Sequence, residues 1–314
     1  MTAVLDVRDL KVTYSTRRGR LQAVDGVSFA IEKGQTLGLV GESGCGKSSL
    51  GKAIMRLVTP TGGQVRVMGE DITTRSAARL RPLRRRFQMV FQDPSASLDP
   101  RQKVRDIIAE PLAFHRIGST EDRSARVAEL MAQVGLHPAM AGRLPHEFSG
   151  GQRQRISIAR AIAPEPDLLV CDEPVSALDV SLQAQILNLL RDLQDRTGVA
   201  CLFISHDLSV VQHLADRVAV MYLGQIVEIA GRDRFWRHAA HPYTRALIDA
   251  VPQIRPGAAR SHRRLLQGDL PNPFAPPAGC HFSSRCPLAT DRCLAEAPAL
   301  RSVAPDHAIA CHLF

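Results

Sequence analysis

The sequence predicts an α/β fold built on a mostly parallel sheet, and three observations carry that expectation. Apolar runs of strand length, among them "DLLVCDEP" and "ACLFISHD", alternate with stretches of helical periodicity. A glycine-rich loop, "GESGCGKSS" (Gly41 to Ser49), joins an apolar strand-like run to a helix-like one. No apolar run approaches the ~20 residues that a membrane-crossing helix needs, and the longest are strand-sized. With 314 residues there is enough chain for one large domain with an appendage.

The elements follow in order. Alternation of polar and apolar residues marks two strands at the start, around "LDVRDLKVTY" and "VDGVSFAIEKG". "QTLGLVGESGCGKSSLGKAIMRLV" reads as buried strand, loop and helix, and "PTGGQVRVMGEDI" as a turn and a further strand. "RRRFQMVFQDP" supplies another strand, ended by Asp93-Pro94. From about Ser95 to Ala163 helical periods broken by prolines indicate a helical subdomain (about 95–163). Strands return in "DLLVCDEP", "ACLFISHD" and "RVAVMYLGQIVEIA". After Gly231 the composition shifts: "HPYTRALIDAVP" is a short helical stretch, and "LPNPFAPPAGCHF" is too rich in proline for a regular element. We place a boundary near residue 235, dividing 1–235 from an irregular, cysteine-rich extension, 236–314.

Composition narrows the partners only slightly. The formal charge of +9 suits nucleic acid, anionic lipid or polyphosphate. Much of it is local, in "RSAARLRPLRRRF" and "RPGAARSHRR", and such runs are commonly just solvated faces. The N-terminus has no basic start followed by an apolar core, so no export signal is expected. Cys45, Cys171 and Cys201 are isolated and read as ordinary buried cysteines. Cys280, Cys286, Cys293 and Cys311 crowd into the last 35 residues, which in a reducing compartment favours metal binding over disulfides.

The loop carries the clearest chemistry. Gly41, Ser43, Gly44, Cys45, Gly46, Lys47 and Ser48 fill G-x-x-x-x-G-K-[ST] between a strand and a helix. Glycines let backbone N–H groups curl around phosphates, and the helix start adds positive potential. Lys47 is expected to reach the β- and γ-phosphates and Ser48 to ligate Mg²⁺, with Ser49 as a helix residue beside the nucleotide. "DLLVCDEP" places Asp172 and Glu173 at the C-terminal end of a strand, the edge where open α/β sheets bind ligands. Asp172 suits the Mg²⁺ shell and Glu173 a general base. Gln92 and His206 stand just past two other strands, Gln92 for the metal and water shell, His206 for the γ-phosphate. "SGGQ" (Ser149 to Gln152) opens another helix with a hydroxyl and glycine N–H groups, a second anion-binding start. One γ-phosphate does not need both, so Ser149, Gly151 and Gln152 are expected to face another chain's nucleotide.

Taken together, "GESGCGKSS", "FQDP", "SGGQ", "LLVCDEP", "SALD" and "SHD" resemble, in content and order, the ATP-binding subunits of ABC transporters over residues 1 to about 235. Phe148 stands before the signature where that family commonly has leucine. The resemblance implies a P-loop, ABC-type nucleotide-binding fold, ATP hydrolysis with Mg²⁺, and two ATP molecules sandwiched between paired subunits, with Tyr14 stacking on adenine. "HPYTRALIDAVP" and the cysteine tail are similar to the C-terminal extension of oligopeptide/dipeptide importer ATPases. "VFQDPSASLDPRQKV" resembles one of the two paralogous ATPases that pair in such systems, implying a heterodimer with a sister ATPase. Two transmembrane permease subunits, a substrate-binding protein reached only indirectly, and a peripheral position on the cytoplasmic face of the membrane are likewise implied. Nickel and glutathione are alternative cargoes within the family.

By residue type the four tail cysteines leave several readings open. Their gaps of five, six and seventeen residues are wider than the C-x2–4-C pairs of zinc sites. They match no standard ferredoxin run either. His281, His307 and His312 could compete as ligands or lie on the surface. The resemblance implies a [4Fe–4S] cluster. A DNA-associated ABC ATPase would carry a long coiled coil between the loop and the signature. Only 102 positions, interrupted by prolines, separate Lys47 from Ser149, and no nucleic acid is expected as partner.

Overall fold

A computed structural model describes residues 3–251 and 271–314 of the chain; the basic run at 255–264 lies outside the described residues. The chain opens with β1 (Leu5–Thr16) and β2 (Gly19–Ile31), both longer than the alternating segments that announce them. β3 (Thr36–Val40), buried at every position, leads through the glycine-rich loop into α1 (Lys47–Ile54). β4 (Gly62–Val67), β5 (Glu70–Asp71), the short α2 (Ala77–Leu80) and β6 (Phe87–Val90) follow. The next stretch is helical: α3 (Pro94–Ser97), α4 (Val104–Phe114), α5 (Thr120–Gln133) and α6 (Gly150–Ile162). Then come β7 (Leu168–Asp172), α7 (Val180–Thr197), β8 (Ala200–Ser205) and α8 (Leu208–Leu214). β9 (Arg217–Tyr222), β10 (Gln225–Gly231), α9 (Arg232–His238) and α10 (Pro242–Ala250) precede the tail. The tail holds α11 (Asp291–Ala295), β11 (Arg301–Ala304) and β12 (His307–Ile309).

Helix boundaries follow local chemistry. Asp93 caps α3 by accepting from the Ser95 N–H, and Pro94 occupies the first helical position. Ser119 and Asp122 form a reciprocal capping box at the start of α5. Asp179 caps α7, and Gly198, at φ 65°, ends it in the left-handed conformation.

Two compact units result. One comprises the chain up to Asp6, Ala30–Gln35 and Val65–Ile204. In it β6 pairs in parallel with β7, and β7 with β8, in a register that sets Val90 beside Cys171 and Asp172 beside Ile204. β7 and β8 are buried along their whole length, as parallel strands covered on both faces require. Arg86 pairs with Asp167 at 2.7 Å where β6 and β7 begin. α4 packs on α5 and α6, through apolar positions that include Ile107, Ile108, Leu130 and Ile158. Cys171 and Cys201, read from sequence as isolated, are neighbours here: a hydrogen bond from Cys201 and burial both push the Cys171 thiol up.

The other unit comprises Val7–Phe29, Thr36–Gln64 and the chain from Ser205 onward. β3 and β9 run parallel, β9 and β10 antiparallel. β12 then adds antiparallel to β10, and β11 to β12. A Cβ on Gly38 would lie 2.4 Å from Val211 Cγ1, so the missing side chain lets α8 lie directly on β3. This partition by packing follows a different line from the division near residue 235.

The sequence led us to expect an irregular tail, and its last part corrects that. "RSVAPDHAI" forms a hairpin that continues the strands past β10. The segment is short and its first strand largely exposed, so it carries almost no alternation to read. What fixes it is Glu228 of β10, fully buried. Its carboxylate accepts the N–H groups of Ala240 (2.8 Å) and His241 (3.0 Å), and His307 Nε2 of β12 at 2.8 Å. Three segments thus depend on one side chain. We predict that Glu228→Ala, which leaves those donors buried and unpaired, destabilises this unit by about 3–5 kcal/mol. Denaturant unfolding read together with limited proteolysis of the tail checks this, and an unchanged midpoint would refute it.

Candidate functional site

The predicted site residues fall into two sets, one in each unit. In the second unit the glycine-rich loop has the backbone its motif demands. Gly41 and Gly46 hold φ of 156° and 108°. A Cβ would come within 2.2 Å of Met221 O at Gly41 and 2.0 Å of Ala23 O at Gly46. Any side chain is therefore excluded by space as well as by conformation. No side chain caps α1 at Gly46, which leaves the helix start available to an anion. Ser43 and Gly44 are exposed at the loop tip.

Lys47 is buried within the loop, its Nζ donating to Gly41 O at 2.8 Å and Glu42 O at 2.9 Å. Cys45 lies beneath, and burial pushes its thiol up. Tyr14 Oη donates to Ser49 Oγ at 3.3 Å, so the expected adenine platform stands against α1. Ser48 occupies the next position of that helix, half-buried. His206, directly after β8, is exposed and precedes Asp207, which caps α8.

The first unit brings its own set together. Asp172 ends β7 and is buried. Glu173 follows with φ 47°, a left-handed conformation that costs a non-glycine residue roughly 1 kcal/mol. Its N–H donates to Ile204 O at 3.0 Å, and its C=O accepts from Ser176 Oγ at 3.1 Å. The turn aims the carboxylate at Gln92, whose Nε2 donates to Glu173 Oε2 at 3.0 Å across 81 residues of sequence. Gln92 and Glu173, each expected from its place after a strand, thus meet. The strain at Glu173 was not readable, because nothing but its place after Asp172 marks it.

At the signature, Ser149 Oγ accepts from the Gln152 N–H at 3.3 Å, and Gln152 Oε1 accepts from the Ser149 N–H at 3.0 Å. This capping box opens α6. A Cβ on Gly151 would sit 3.2 Å from two methyl carbons of Leu182, so the small residue keeps α6 close to α7.

The sequence did not single out Glu42, Tyr243 or Arg285. Arg285 grips the Glu42 carboxylate with both terminal nitrogens, at 2.7 and 3.0 Å. Tyr243 Oη accepts the Glu42 N–H at 2.9 Å. These partners lie 243 and 201 residues away, beyond any local pattern.

In the tail, Cys293 and Cys311 are buried and Cys280 and Cys286 half-buried, with no disulfide. Burial pushes the Cys280, Cys286 and Cys311 thiols up, and each also feels at least one of the other tail thiols. Yet among the described residues no group of three or more His, Cys, Asp or Glu side chains is placed to hold a metal ion. The expectation of a ready ligand shell is not met. His307 is engaged with Glu228, His281 Nδ1 lies 3.2 Å from Leu223 O, and His312 Nε2 lies 2.9 Å from Glu296 O.

Comparison with known proteins agrees with this architecture. The family model described as "ABC transporter" matches residues 24–176. That described as "Oligopeptide/dipeptide transporter, C-terminal region" matches residues 227–293. The oligopeptide transport ATP-binding protein AppF of Bacillus subtilis is 51% identical, over 99% of this chain and 97% of its own length. The di/tripeptide transport ATP-binding protein DppF of Pseudomonas aeruginosa is 50% identical, over 99% and 98%. Among solved structures, the dimeric ATP-binding cassette MJ0796 bound to ADP and Pi superposes with TM-score 0.67 at 28% identity, over 73% of this chain and 98% of that one. With relatives this similar along nearly its whole length, the chain belongs to the ABC transporter family, in its branch of ATP-binding proteins.

Proposed function

We propose that the chain binds and hydrolyses ATP to energise an importer of di- or oligopeptides. The observation that carries the reading is the match, over 99% of this chain, to ATP-binding proteins named for oligopeptide and di/tripeptide transport, joined by the C-terminal family model over residues 227–293. Functionally the chain divides near residue 235 into an ATP-binding domain, with its helical part at about 95–163, and the extension.

The residues take separable roles. Loop N–H groups from Gly41 to Ser48 wrap the phosphates, and Lys47 leaves its loop carbonyls for the β- and γ-phosphates. Tyr14 stacks on adenine beside Ser49. Mg²⁺ supplies charge neutralisation on the phosphates, and the Ser48 hydroxyl, the Asp172 carboxylate and the Gln92 amide oxygen are hard ligands suited to it. Glu173 takes the proton of the attacking water, held ready by its hydrogen bond to Gln92, while His206 contacts the γ-phosphate. Ser149, Gly151 and Gln152 complete a site on a second subunit, for which a sister ATPase is the partner we favour.

Among the described residues no helix is long and apolar enough to cross a membrane. Transport would then run through two permease subunits, with this chain peripheral on the cytoplasmic face and a substrate-binding protein delivering cargo on the far side.

For Cys280, Cys286, Cys293 and Cys311 we favour a [4Fe–4S] cluster. An iron–sulfur cube holds its four thiolates farther apart than one ion does. What supports the reading is that four thiols share one tail and that Cys280, Cys286 and Cys311 each feel at least one of the others. We take the cluster's role as structural rather than redox.

Four outcomes test these assignments. Glu173→Gln should keep ATP binding and slow turnover by roughly 10²- to 10⁴-fold; hydrolysis at the parent rate would remove Glu173 from the role. Ser149→Ala should leave ATP binding by the isolated chain intact while lowering ATPase activity in the assembled transporter, measured with the sister subunit carrying the intact signature. Protein purified without oxygen should be brown and contain iron and sulfide, and a colourless, zinc-containing preparation would overturn the cluster. Capture from native membranes should bring permease subunits and a second ATPase, whereas nucleic-acid or ribosomal partners would sink the importer reading.

A further inference from the structure

We propose that Arg285 and Tyr243 are positioning residues of the ATP site, holding the glycine-rich loop in its phosphate-binding shape through Glu42. The inference rests on that loop being the ATP site. Glu42 directly follows Gly41, and each of its polar parts is engaged. The carboxylate takes both ends of the Arg285 guanidinium, the N–H donates to Tyr243 Oη, and the C=O accepts from Lys47 Nζ. Two of these three partners come from chain beyond residue 240.

The grip is sheltered and firmly mounted. The side chains of Arg285 and Glu42 are 6% and 25% exposed. Tyr222 lies beside the guanidinium, its Oη 3.4 Å from Arg285 and its ring centroid 5.9 Å away. Phe282, fully buried, packs against Tyr222 (5.3 Å), Tyr243 (5.4 Å) and His241 (5.6 Å). The short helical turn at Ser283–Arg285 is therefore planted in an aromatic cluster.

Two physical effects make this more than a fastening of the tail. A loop with positive φ at Gly41, Gly44 and Gly46 has many conformations open to it, and fixing Glu42 beforehand removes ordering cost from nucleotide binding. Glu42 is also a negative charge in a loop that must accept a polyphosphate. A bidentate arginine cancels that charge as it holds the shape.

The second effect gives the test its sign. MgATP affinity is measured on the full-length chain, with thermal unfolding in parallel. Arg285→Gln leaves Glu42 charged and unpaired, and affinity should fall roughly tenfold or more. Glu42→Gln loses the grip but also the repulsion, and should lose less. The double variant E42Q/R285Q should bind like E42Q alone, better than R285Q. Arg285→Lys, with charge but no fork, should fall between R285Q and the parent. Arg292→Gln, which breaks only the exposed pair with Glu296 in the same tail, should change nothing. Lys47→Ala removes binding if the loop is the ATP site; parent-like binding in that variant would sink the site assignment itself. The positioning role is overturned if R285Q binds MgATP at parent affinity. It is equally overturned if R285Q and E42Q/R285Q lose equally, in step with their loss of melting temperature. Should R285Q fail to fold, E42Q and R285K still decide the ordering from the loop side and by charge.

Discussion

The structure depends on one constraint: at the glycine-rich loop the chain turns from a strand into a helix with no room for a side chain at Gly41 or Gly46. Backbone amides can converge on a phosphate only where the chain turns tightly from a strand into a helix. That requirement fixes the glycines, and the glycines fix their surroundings. Gly41 and Gly46 have backbone carbonyls of Met221 and Ala23 where a Cβ would be, so β9 and β2 are positioned against the loop as closely as atoms allow. Lys47 folds onto the loop carbonyls of Gly41 and Glu42, which satisfies a buried ammonium.

How much of this was legible follows from how local each feature is. The loop, the strand-end carboxylates and the signature are runs of neighbouring residues whose chemistry depends on spacing, and the sequence displays spacing directly. Helix caps at Ser119, Ser149 and Asp179 are local for the same reason. The meeting of Gln92 with Glu173 was readable only as two residues each placed after a strand. Their hydrogen bond depends on the parallel register of β6 and β7. The β11–β12 hairpin and the Glu42–Arg285 pair were not legible at all. One is too short and polar to show a period, and the other joins residues 243 positions apart. The tail cysteines were legible as a cluster but not as a shell, because sequence gaps say nothing of the distance between sulfurs.

The extension shows how a segment of short elements still becomes part of a folded unit. Among its described residues there is no strand longer than four residues. It uses a few buried polar keystones instead: Glu228 collects two backbone donors and His307, and Phe282 sits within rings of Tyr222, Tyr243 and His241. Burial holds His241 neutral, with its pKa pushed down to about 3, so its Nδ1 can accept the Tyr243 N–H and start α10. Such keystones are intolerant of substitution in a way that scattered apolar contacts are not, since each lost partner leaves a buried polar group without water.

These arrangements bear on why the extension and the loop lie in one compact unit. Tyr243 reaches Glu42 because α10 begins where Glu228 and His241 place it, and Arg285 reaches it because Phe282 anchors the preceding turn. The same turn presents Cys286, the residue next to Arg285. The left-handed backbone at Glu173 makes the matching point in the other unit. There, too, an unfavourable local conformation persists because hydrogen bonds from both sides, to Ile204 and from Ser176, determine it. In both units the chemistry sits on residues whose backbone is held from more than one direction.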